Sequence, residues 1–407
     1  MNKNSTISIK SVPGGAAAAA GFLAAGILCR VRNSGRRDLG LLYSKYPCSV
    51  AGVYTRNTFN GAPLDVTKQA VDAGNVQAIV VNSGNANAGT GQQGIEDAHR
   101  MQAVAADGLG LNSQQVAVAS TGVIGQHLPM DKIETGIRSA AEELGHDGSG
   151  FAEAILTTDT CTKEAAVEVE VDGKTITVGG TAKGSGMIHP NMGTMLAFLT
   201  TDAAVEEECL QETLSRATNI SFNRVTVDGD TSPSDMALLF ANGAAENVPL
   251  TTASPAYPVF AEAVETVARE LAKEIARDGE GATKLVEVVV EGAANDDTAA
   301  ALAKSVVGSN LLKAAVFGED ANWGRVVTAM GYSGVEFDPV NQELYFGTVK
   351  VFEGGEPVLH DEVEANAALS GDEVRITACF GEGDGSATAW GCDLTYQYVE
   401  INGSYRT

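Results

Sequence analysis

The chain has 407 residues, of which 44% are hydrophobic and 19% charged, and these proportions fit a soluble globular protein with one large domain or two of moderate size. Its 27 Lys and Arg against 52 Asp and Glu give a net charge of −25, which argues against nucleic acid or an anionic membrane surface as a partner. Six cysteines occur singly, without a CxxC pair, and this favours free thiols in a reducing cytoplasm.

The predicted elements begin with an apolar segment at 16–29, which is too short to span a bilayer. It runs into Arg30 and Arg32 instead of a small-residue cleavage site, so we interpret it as a buried strand and turn and not as a signal peptide. Buried strands are next predicted over 76–81 and 116–119, each followed by a polar loop of small residues, and helices over 95–108 and 130–144.

Alternating valines around Asp172-Gly173 predict a β-hairpin over 164–178. A Gly-rich segment, 182–203, follows it. The remaining predicted elements are a linker over 248–257, a helix over 257–278 ended by Gly279, and strands over 285–290, 346–352 and 373–380. Strands, helices and frequent hairpins together predict a mixed α/β or α+β fold.

Several familiar motifs are absent or incomplete. The run 228–235 resembles the start of a calcium loop, but Pro233 and Leu239 stand where an EF-hand requires Gly and Glu. The five His are scattered without metal-ligand spacing, and there is no GxSxG elbow or phosphate-binding glycine loop. Zinc enzymes, dehydrogenases and serine hydrolases of the usual kind are therefore not indicated.

The Gly193-Thr194 bond fits a different chemistry. A Thr hydroxyl is a poor nucleophile unless a base lies beside it, and a chain cut immediately before the Thr makes its own α-amine that base. An α-amine has a pKa of about 7.7–8.0, which suits general-base work near neutral pH. Gly193 permits the strained backbone that an N-to-O acyl shift requires.

The segment AKGSGMIHPNMGTMLAFLTTDA around this bond closely resembles the signature of the ornithine acetyltransferase family, also called the bifunctional glutamate N-acetyltransferase / amino-acid acetyltransferase family. The resemblance extends in order over nearly the whole chain. It is carried by AGVYTRN (51–57), NSGNANAGTG (82–91), STGVIG (120–125), TTDT (157–160), SFNRVTVDGDTS (221–232), RDGEGATK (277–284), GEDANWGR (318–325) and the final ATAWGCDLTYQYVEINGSYRT (387–407).

This resemblance implies a reaction. Self-cleavage would free Thr194, which takes the acetyl group of N2-acetylornithine and passes it to glutamate by a ping-pong mechanism in arginine biosynthesis. Use of acetyl-CoA as a second acetyl donor is left open, and no other cofactor or metal is expected. Gly193 stands where the family usually has Ala, and its extra freedom would hold the cleavage geometry less firmly.

The resemblance also implies roles for particular residues. Thr121 and Gly122 match the oxyanion-hole pair, and the substrate-binding residues are Lys183, Glu280, Asn402, Thr407 and one Thr of TTDT, either Thr157 or Thr160. A Thr hydroxyl and a Gly N–H suit developing negative charge, and Lys183 supplies the cation that a carboxylate substrate needs.

The implied architecture is a layered α-β-β-α sandwich, related to but distinct from the N-terminal-nucleophile hydrolases, with a smaller second α/β domain. The cut would give an α chain, 1–193, and a β chain, 194–407, which pair as an α2β2 heterotetramer in the cytoplasm. Two alternatives remain open: an autocleaved amidase or peptidase of similar fold, and an uncleaved homologue that binds substrate without turnover.

Overall fold

A computed structural model describes residues 8–32, 35–189 and 195–404, which form 17 strands and 11 α-helices. In chain order the strands are β1 (Lys10–Ser11), β2 (Phe22–Ile27), β3 (Leu39–Ser44), β4 (Ser49–Tyr54), β5 (Ala78–Asn85), β6 (Val116–Val123), β7 (Lys163–Val171), β8 (Lys174–Lys183), β9 (Leu196–Thr201), β10 (Val225–Thr226), β11 (Met236–Ala241), β12 (Leu285–Ala293), β13 (Gln342–Phe346), β14 (Val349–Glu353), β15 (Glu356–Pro357), β16 (Glu373–Phe380) and β17 (Gly385–Cys392). The helices are α1 (Ala62–Ala73), α2 (Gly91–Leu109), α3 (Met130–Glu142), α4 (Ser149–Ala154), α5 (Glu207–Ile220), α6 (Tyr257–Arg277), α7 (Asp296–Val307), α8 (Asn310–Phe317), α9 (Trp323–Gly331), α10 (Glu362–Ala367) and α11 (Tyr396–Ser404).

Two sheets pack face to face at the centre of the molecule. One has six strands in the order β1-β7-β8-β9-β11-β4, and the other has four in the order β2-β3-β5-β6. The layer between them is apolar and includes Phe22 and Ile79 from the four-stranded sheet and Phe198 and Phe240 from the six-stranded sheet. Alternating side chains of β9 and β11 explain this layer, because every second residue of a strand points to the same face.

Helices cover the two outer faces of this sandwich. The other face of the six-stranded sheet, which includes Leu199 and Leu239, packs against α5 and α6. The outer face of the four-stranded sheet, which includes Val80 and Val118, packs against α2 and α3. The order of layers is therefore α-β-β-α, as predicted, and the mixed α/β fold class is confirmed.

A second, smaller core lies around the seven-stranded sheet β10-β17-β12-β16-β13-β14-β15. Its apolar residues come chiefly from that sheet and from α7, α8 and α9. The sandwich draws strands from both sides of position 193, since β1, β7 and β8 precede it and β9 and β11 follow it. A division of the chain at 193/194 therefore does not separate two packing units.

Most predicted elements are present. The hairpin of β7 and β8 turns at Asp172-Gly173, both with positive φ (51° and 76°), as a type I′ turn requires. The segment 16–29 contains a short 3₁₀ turn and β2, as expected, and the six cysteines are free. The helix predicted over 257–278 is α6, with Asp278 as its C-cap.

Three predictions of elements were wrong in detail. Strands β5 and β6 continue to Asn85 and Val123, beyond the points where polar loops were expected, because the two strands stay paired with each other there. The strand predicted over 346–352 is a hairpin of β13 and β14 that turns at Gly347. The segment 248–257 is not a linker, since Leu250 and Tyr257 are buried in the core between α6 and the six-stranded sheet.

Candidate active site

A cavity of about 180 Å³ opens where the ends of the two central sheets meet the loop after α6 and the C-terminal helix α11. Distant parts of the chain contribute its walls. Six of the residues predicted for the site from the sequence lie on this cavity: Thr121, Gly122, Thr157, Lys183, Glu280 and Asn402.

Thr121 and Gly122 lie near the end of β6, where its pairing with β5 is irregular. Gly122 has a φ of +126°, and a Cβ atom there would lie 2.5 Å from the carbonyl carbon of Gly84. A glycine is therefore required at this position for both conformation and space. The irregular pairing turns this end of the strand toward the cavity instead of continuing the flat sheet.

Lys183 is the last residue of β8 and is 7% exposed. Its Nζ atom donates a hydrogen bond to Thr121 Oγ1 over 3.4 Å, which joins the two central sheets across the cavity. Burial lowers the pKa of Lys183, although the carboxylate of Asp159 acts in the opposite direction. The side chain thus places a cationic donor in a confined part of the site.

A buried ion-pair network lies behind Lys183. The Lys163 ammonium contacts Asp159 over 2.8 Å and Asp278 over 2.6 Å, and the Lys163 and Asp159 side chains are fully buried. Asp159 also accepts hydrogen bonds from the N–H groups of Gly184 (2.7 Å) and Thr157 (2.9 Å). The network therefore fixes the end of β8 and the TTDT loop relative to the end of α6.

Glu280 enters the cavity from the loop after α6. Its Oε2 atom accepts a hydrogen bond of 2.7 Å from Asn402 of α11, so these two predicted residues are in direct contact. A Cβ atom on Gly186 would lie 2.3–2.4 Å from the Glu280 carboxylate, and only a glycine in the KGSG segment leaves room for it. The two motifs, far apart in sequence, are thus fitted to each other.

Thr157 and Thr160, the two alternatives within TTDT, occupy different environments. Thr157 lies on the cavity, whereas Thr160 is exposed and binds Asp278 through its N–H (3.0 Å) and its hydroxyl. The geometry therefore favours Thr157 as a residue that contacts substrate. Thr160 has its hydrogen-bonding groups committed to Asp278.

Gly193, Thr194 and Thr407 lie outside the described residues, so the predicted nucleophile, cleavage site and terminal contact are not located. The residue that follows Thr194, Met195, is described and buried. It lies with Thr121 and Lys183 on a small second cavity of about 20 Å³, adjoining the first. Its carbonyl accepts a hydrogen bond of 3.0 Å from the N–H of Met236, which fixes the start of β9.

The loop 228–235 also forms part of the site, and sequence analysis assigned it no role. Asp228, Asp230 and Ser232 line the cavity of about 180 Å³. Asp228 accepts hydrogen bonds from the N–H groups of Met187 (2.6 Å) and Ile188 (2.9 Å), and so ties this loop to the Gly-rich segment. The run was considered as a calcium loop, and its first residues as part of the motif SFNRVTVDGDTS (221–232), but no residue in it was given a role. Its density of carboxylates and hydroxyls was the signal available in the sequence.

No group of three or more His, Cys, Asp and Glu side chains in the described ranges could hold a metal ion. Among these same residues, no single helix has the length and apolar content to span a membrane. Only the pair α7 and α8, taken together, meets both the length and the composition criterion, and the two helices are bent by 57° at the break between them.

Comparison with known proteins gives a consistent set of relatives. The ArgJ family model matches residues 23–407. The "arginine biosynthesis bifunctional protein ArgJ" of Symbiobacterium thermophilum is 54% identical over 397 residues, covering 97% of this chain and 99% of that protein. The protein of the same name from Bacillus subtilis is 50% identical over 400 residues, covering 98% of each chain.

A solved structure of the Bacillus halodurans protein of that name is 49% identical, with a TM-score of 0.50. The match covers 98% of that solved chain but 51% of this one. The family model covers all six of the predicted residues on the cavity, and the relatives match over nearly their full lengths. The family predicted from the sequence motifs is confirmed, and this chain belongs to the ArgJ family.

Proposed function

We propose that this protein cuts itself between Gly193 and Thr194 and then transfers the acetyl group of N2-acetylornithine to glutamate through an acetyl-Thr194 intermediate. The products are ornithine and N-acetylglutamate. The observation that carries the proposal is the small cavity where Met195, the residue next to Thr194, meets Thr121 and Lys183. A nucleophile at position 194 would be bonded directly to one wall of a site that holds a hydroxyl and a buried cation.

In the proposed first half-reaction, the freed α-amine of Thr194 takes the hydroxyl proton as Oγ attacks the acetyl carbon. The Thr121 hydroxyl and the Gly122 N–H stabilise the developing oxyanion. The C–N bond breaks, the proton passes to the departing amine, and ornithine leaves. In the second half, the glutamate amine attacks the acetyl ester, the ester C–O bond to Thr194 breaks, and a proton of that amine passes to Thr194 Oγ by way of the same α-amine.

The charges around the cavity suit these substrates. Among the described residues on the cavity of about 180 Å³, Asp228, Asp230 and Glu280 are acidic and Lys183 is the one cation. Glu280, positioned by Asn402, is proposed to bind ammonium groups of ornithine. Lys183 is proposed to bind a substrate carboxylate, which an acidic protein would otherwise repel.

Two further parts of the proposal concern assembly and acetyl donors. The cleaved α and β chains are proposed to remain together and to form an α2β2 heterotetramer. The half-length solved chain from Bacillus halodurans supports the cut, because one product of a cut near the middle of this chain would have that size. The relatives named "bifunctional" support a second activity, and we propose that it uses acetyl-CoA as the acetyl donor.

The first test is the intact mass of the purified protein under denaturing conditions, with N-terminal sequencing. Two fragments, one beginning at Thr194, are expected from the wild type, whereas Thr194→Ala should remain a single 42.0 kDa chain. Thr252→Ala, at an exposed Thr, is the matched control and should be cleaved normally. A wild-type chain that stays intact after prolonged incubation would refute the mechanism.

The second test follows isotope-labelled acetyl from acetylornithine. Label should appear in N-acetylglutamate when glutamate is present. Free ornithine that carries its own label should exchange into acetylornithine without glutamate, as a ping-pong transfer requires. Release of free acetate at the same rate without glutamate would instead identify an amidase. Acetyl-CoA is then offered as the only donor, and formation of N-acetylglutamate decides the second activity.

A further inference from the structure

Asp230 is a carboxylate on the cavity of about 180 Å³ to which the proposed mechanism gives no role. Three acidic side chains line that cavity in the described part of the chain: Asp228, Asp230 and Glu280. The hydrogen bonds that each carboxylate accepts indicate which of the three can meet a cation brought by a substrate.

Asp228 has its carboxylate oxygens occupied by the protein itself. They accept hydrogen bonds from the N–H groups of Met187 (2.6 Å), Ile188 (2.9 Å) and Asp230 (3.2 Å) and from the hydroxyl of Tyr398 (3.4 Å). Met187 has a φ of +54°, which is uncommon for a residue other than glycine, and the bond from its N–H helps to hold that conformation. Asp228 is therefore explained as a structural residue that joins the Gly-rich segment to α11.

Asp230 differs from its neighbours in both partners and exposure. Its N–H is bonded to Asp228, but its carboxylate accepts no hydrogen bond and makes no ion pair within 4.0 Å among the described residues. Asp230 is exposed, whereas Glu280 is 6% exposed and accepts a hydrogen bond of 2.7 Å from Asn402. In the part of the chain that the structure describes, Asp230 is thus the one carboxylate on this cavity that is left to bind a cation.

The cavity has a buried end and an open end. Thr121 and Lys183, each 7% exposed, lie at its buried end, where they also line the small second cavity. Asp230 is exposed and so lies at the open end. Burial, and then the charges of the three carboxylates, raise the pKa of Tyr398, so Asp230 lies within electrostatic range of α11 across the opening.

The two proposed substrates differ most at the end away from the reacting nitrogen. In N2-acetylornithine the acetyl group is on the α-nitrogen, which lies near Thr121 if the oxyanion forms there, and the free ammonium is separated from the α-carbon by three methylene groups. Glutamate, whose α-amine attacks at the same place, carries a carboxylate at its distal end. A carboxylate at the open end of the cavity would therefore attract the donor and repel the acceptor.

We propose that Asp230 binds the side-chain ammonium of acetylornithine and so distinguishes this donor from glutamate. The inference rests on the proposed function and deepens it, because it divides the ammonium groups of ornithine between two carboxylates. Glu280, at the buried side, would bind the α-ammonium that ornithine gains on release and that glutamate brings. Asp230 would bind the distal ammonium, and at an open position this should contribute about tenfold in affinity, the lower end for a hydrogen bond between charged groups.

The test compares Asp230→Asn with the wild type on two donors, acetylornithine and N2-acetylnorvaline, which has the same carbon chain without the ammonium group. In a ping-pong reaction, kcat/KM for each substrate reports its own half-reaction, so donor and acceptor can be separated. Asp230→Asn should lower kcat/KM for acetylornithine about tenfold and leave that for acetylnorvaline within about twofold of the wild type. The value for glutamate should be unchanged or raised, whereas loss of a residue that merely shaped the cavity would lower all three values alike.

Calorimetric titration provides a measurement without turnover. Ornithine should bind to Asp230→Asn about tenfold more weakly than to the wild type, whereas norvaline should bind to both proteins alike.

Two further variants serve as controls. Asp384→Asn, at an exposed carboxylate between β16 and β17, should have the kinetics of the wild type. Asp228→Asn weakens the bonds that hold the Gly-rich segment and should lower kcat/KM for all three substrates alike. A loss confined to acetylornithine in Asp228→Asn, with wild-type kinetics in Asp230→Asn, would mean that the wrong carboxylate has been chosen and would overturn the inference.

Equal losses for acetylornithine and acetylnorvaline, or a fall for glutamate as large as that for acetylornithine, would also overturn it. Intact mass is measured on each protein first, and an Asp230→Asn chain that stays whole while the wild type is cleaved counts against the inference and leaves the proposed function standing. If the wild type is neither cleaved nor able to transfer acetyl, the proposed function fails. The ornithine titration then still reports whether Asp230 binds the ammonium group.

Discussion

Replacing Lys163 by Met tests whether the buried network behind the site is held by charge. Lys163 contacts Asp159 over 2.8 Å and Asp278 over 2.6 Å, and its side chain is fully buried. Removing one partner of a buried ion pair leaves an uncompensated charge and costs about 3–5 kcal/mol of unfolding free energy. The rate of acetyl transfer should also fall, because Asp159 positions both Gly184 and Thr157 by accepting hydrogen bonds from their N–H groups.

The pH dependence of this loss separates charge from packing. Burial by itself would raise the pKa of Asp159, but the Lys163 and Lys183 ammonium groups and its hydrogen bonds hold it below the usual range. The stability that this lowered pKa contributes is present above the unfolded pKa of about 3.9 and is lost only as pH falls through the lower folded value. Without Lys163, one of two adjacent buried carboxyls should have a raised pKa and should gain stability on protonation.

The assay is urea unfolding of Lys163→Met and wild type at pH 7 and pH 5, followed by circular dichroism. We expect the difference in unfolding free energy to shrink at pH 5, since the variant takes up a proton in this range, whereas Asp159 of the wild type, with its lowered pKa, does not. The control is Lys10→Met, which removes an exposed ion pair with Glu168 in the same six-stranded sheet and should cost less than about 1 kcal/mol. A loss no larger than that of the control, or a difference that is the same at both pH values, would refute the reasoning.

Gly122→Ala should destabilise the protein by about 1–3 kcal/mol and abolish transfer, because a Cβ at φ +126° would meet the backbone of Gly84 at 2.5 Å; urea unfolding and initial rates check this. Lys183→Met should raise KM for glutamate about tenfold, the loss expected for a hydrogen bond to a charged group, as steady-state kinetics would measure. His189 should titrate near pH 4 in NMR spectra, since burial and the charge of Lys304 lower its pKa to about 4. The folded state then loses the stability associated with neutral His189 as pH falls from about 6.5 toward that value, the sign expected for a lowered His pKa.

Local patterns predicted the elements whose causes are local. The hairpin of β7 and β8 follows from alternating valines and from Asp172-Gly173, which accept the positive φ values that the turn needs. The helix α6 follows from apolar spacing over 21 residues.

The partners of each strand could not be predicted in this way. Apolar residues of β9 and β11 indicate burial, but not that the two strands lie parallel to each other, with β11 antiparallel to β4. The failure at 248–257 has the same origin: a Pro- and Ser-containing stretch resembles a linker, whereas Leu250 is buried because it pairs with Val205. Pairing across such distances is decided by packing, on which a local window carries no information.

The candidate site, too, could be predicted only in part from the sequence. Lys183, Glu280 and Asn402 were found through motif resemblance, and the structure brings them to one cavity. Lys163 carries no signal in the sequence, where it resembles a surface lysine. Its burial is explained by two carboxylates, and one of them, Asp278, lies 115 residues further along the chain.

The position of the proposed cut within the six-stranded sheet has an energetic consequence. The strands on either side of it, β8 and β9, are neighbours paired from Lys183 opposite Leu196 to Val178 opposite Thr201. Separating the two pieces would expose the backbone of both strands as long, apolar sheet edges and would divide the core between the sheets. The contacts that hold the pieces together are therefore the contacts that fold the sandwich. Dissociation of the cleaved chains and unfolding of this core should thus occur as one transition, so the cut can release a nucleophile without loosening the site that uses it.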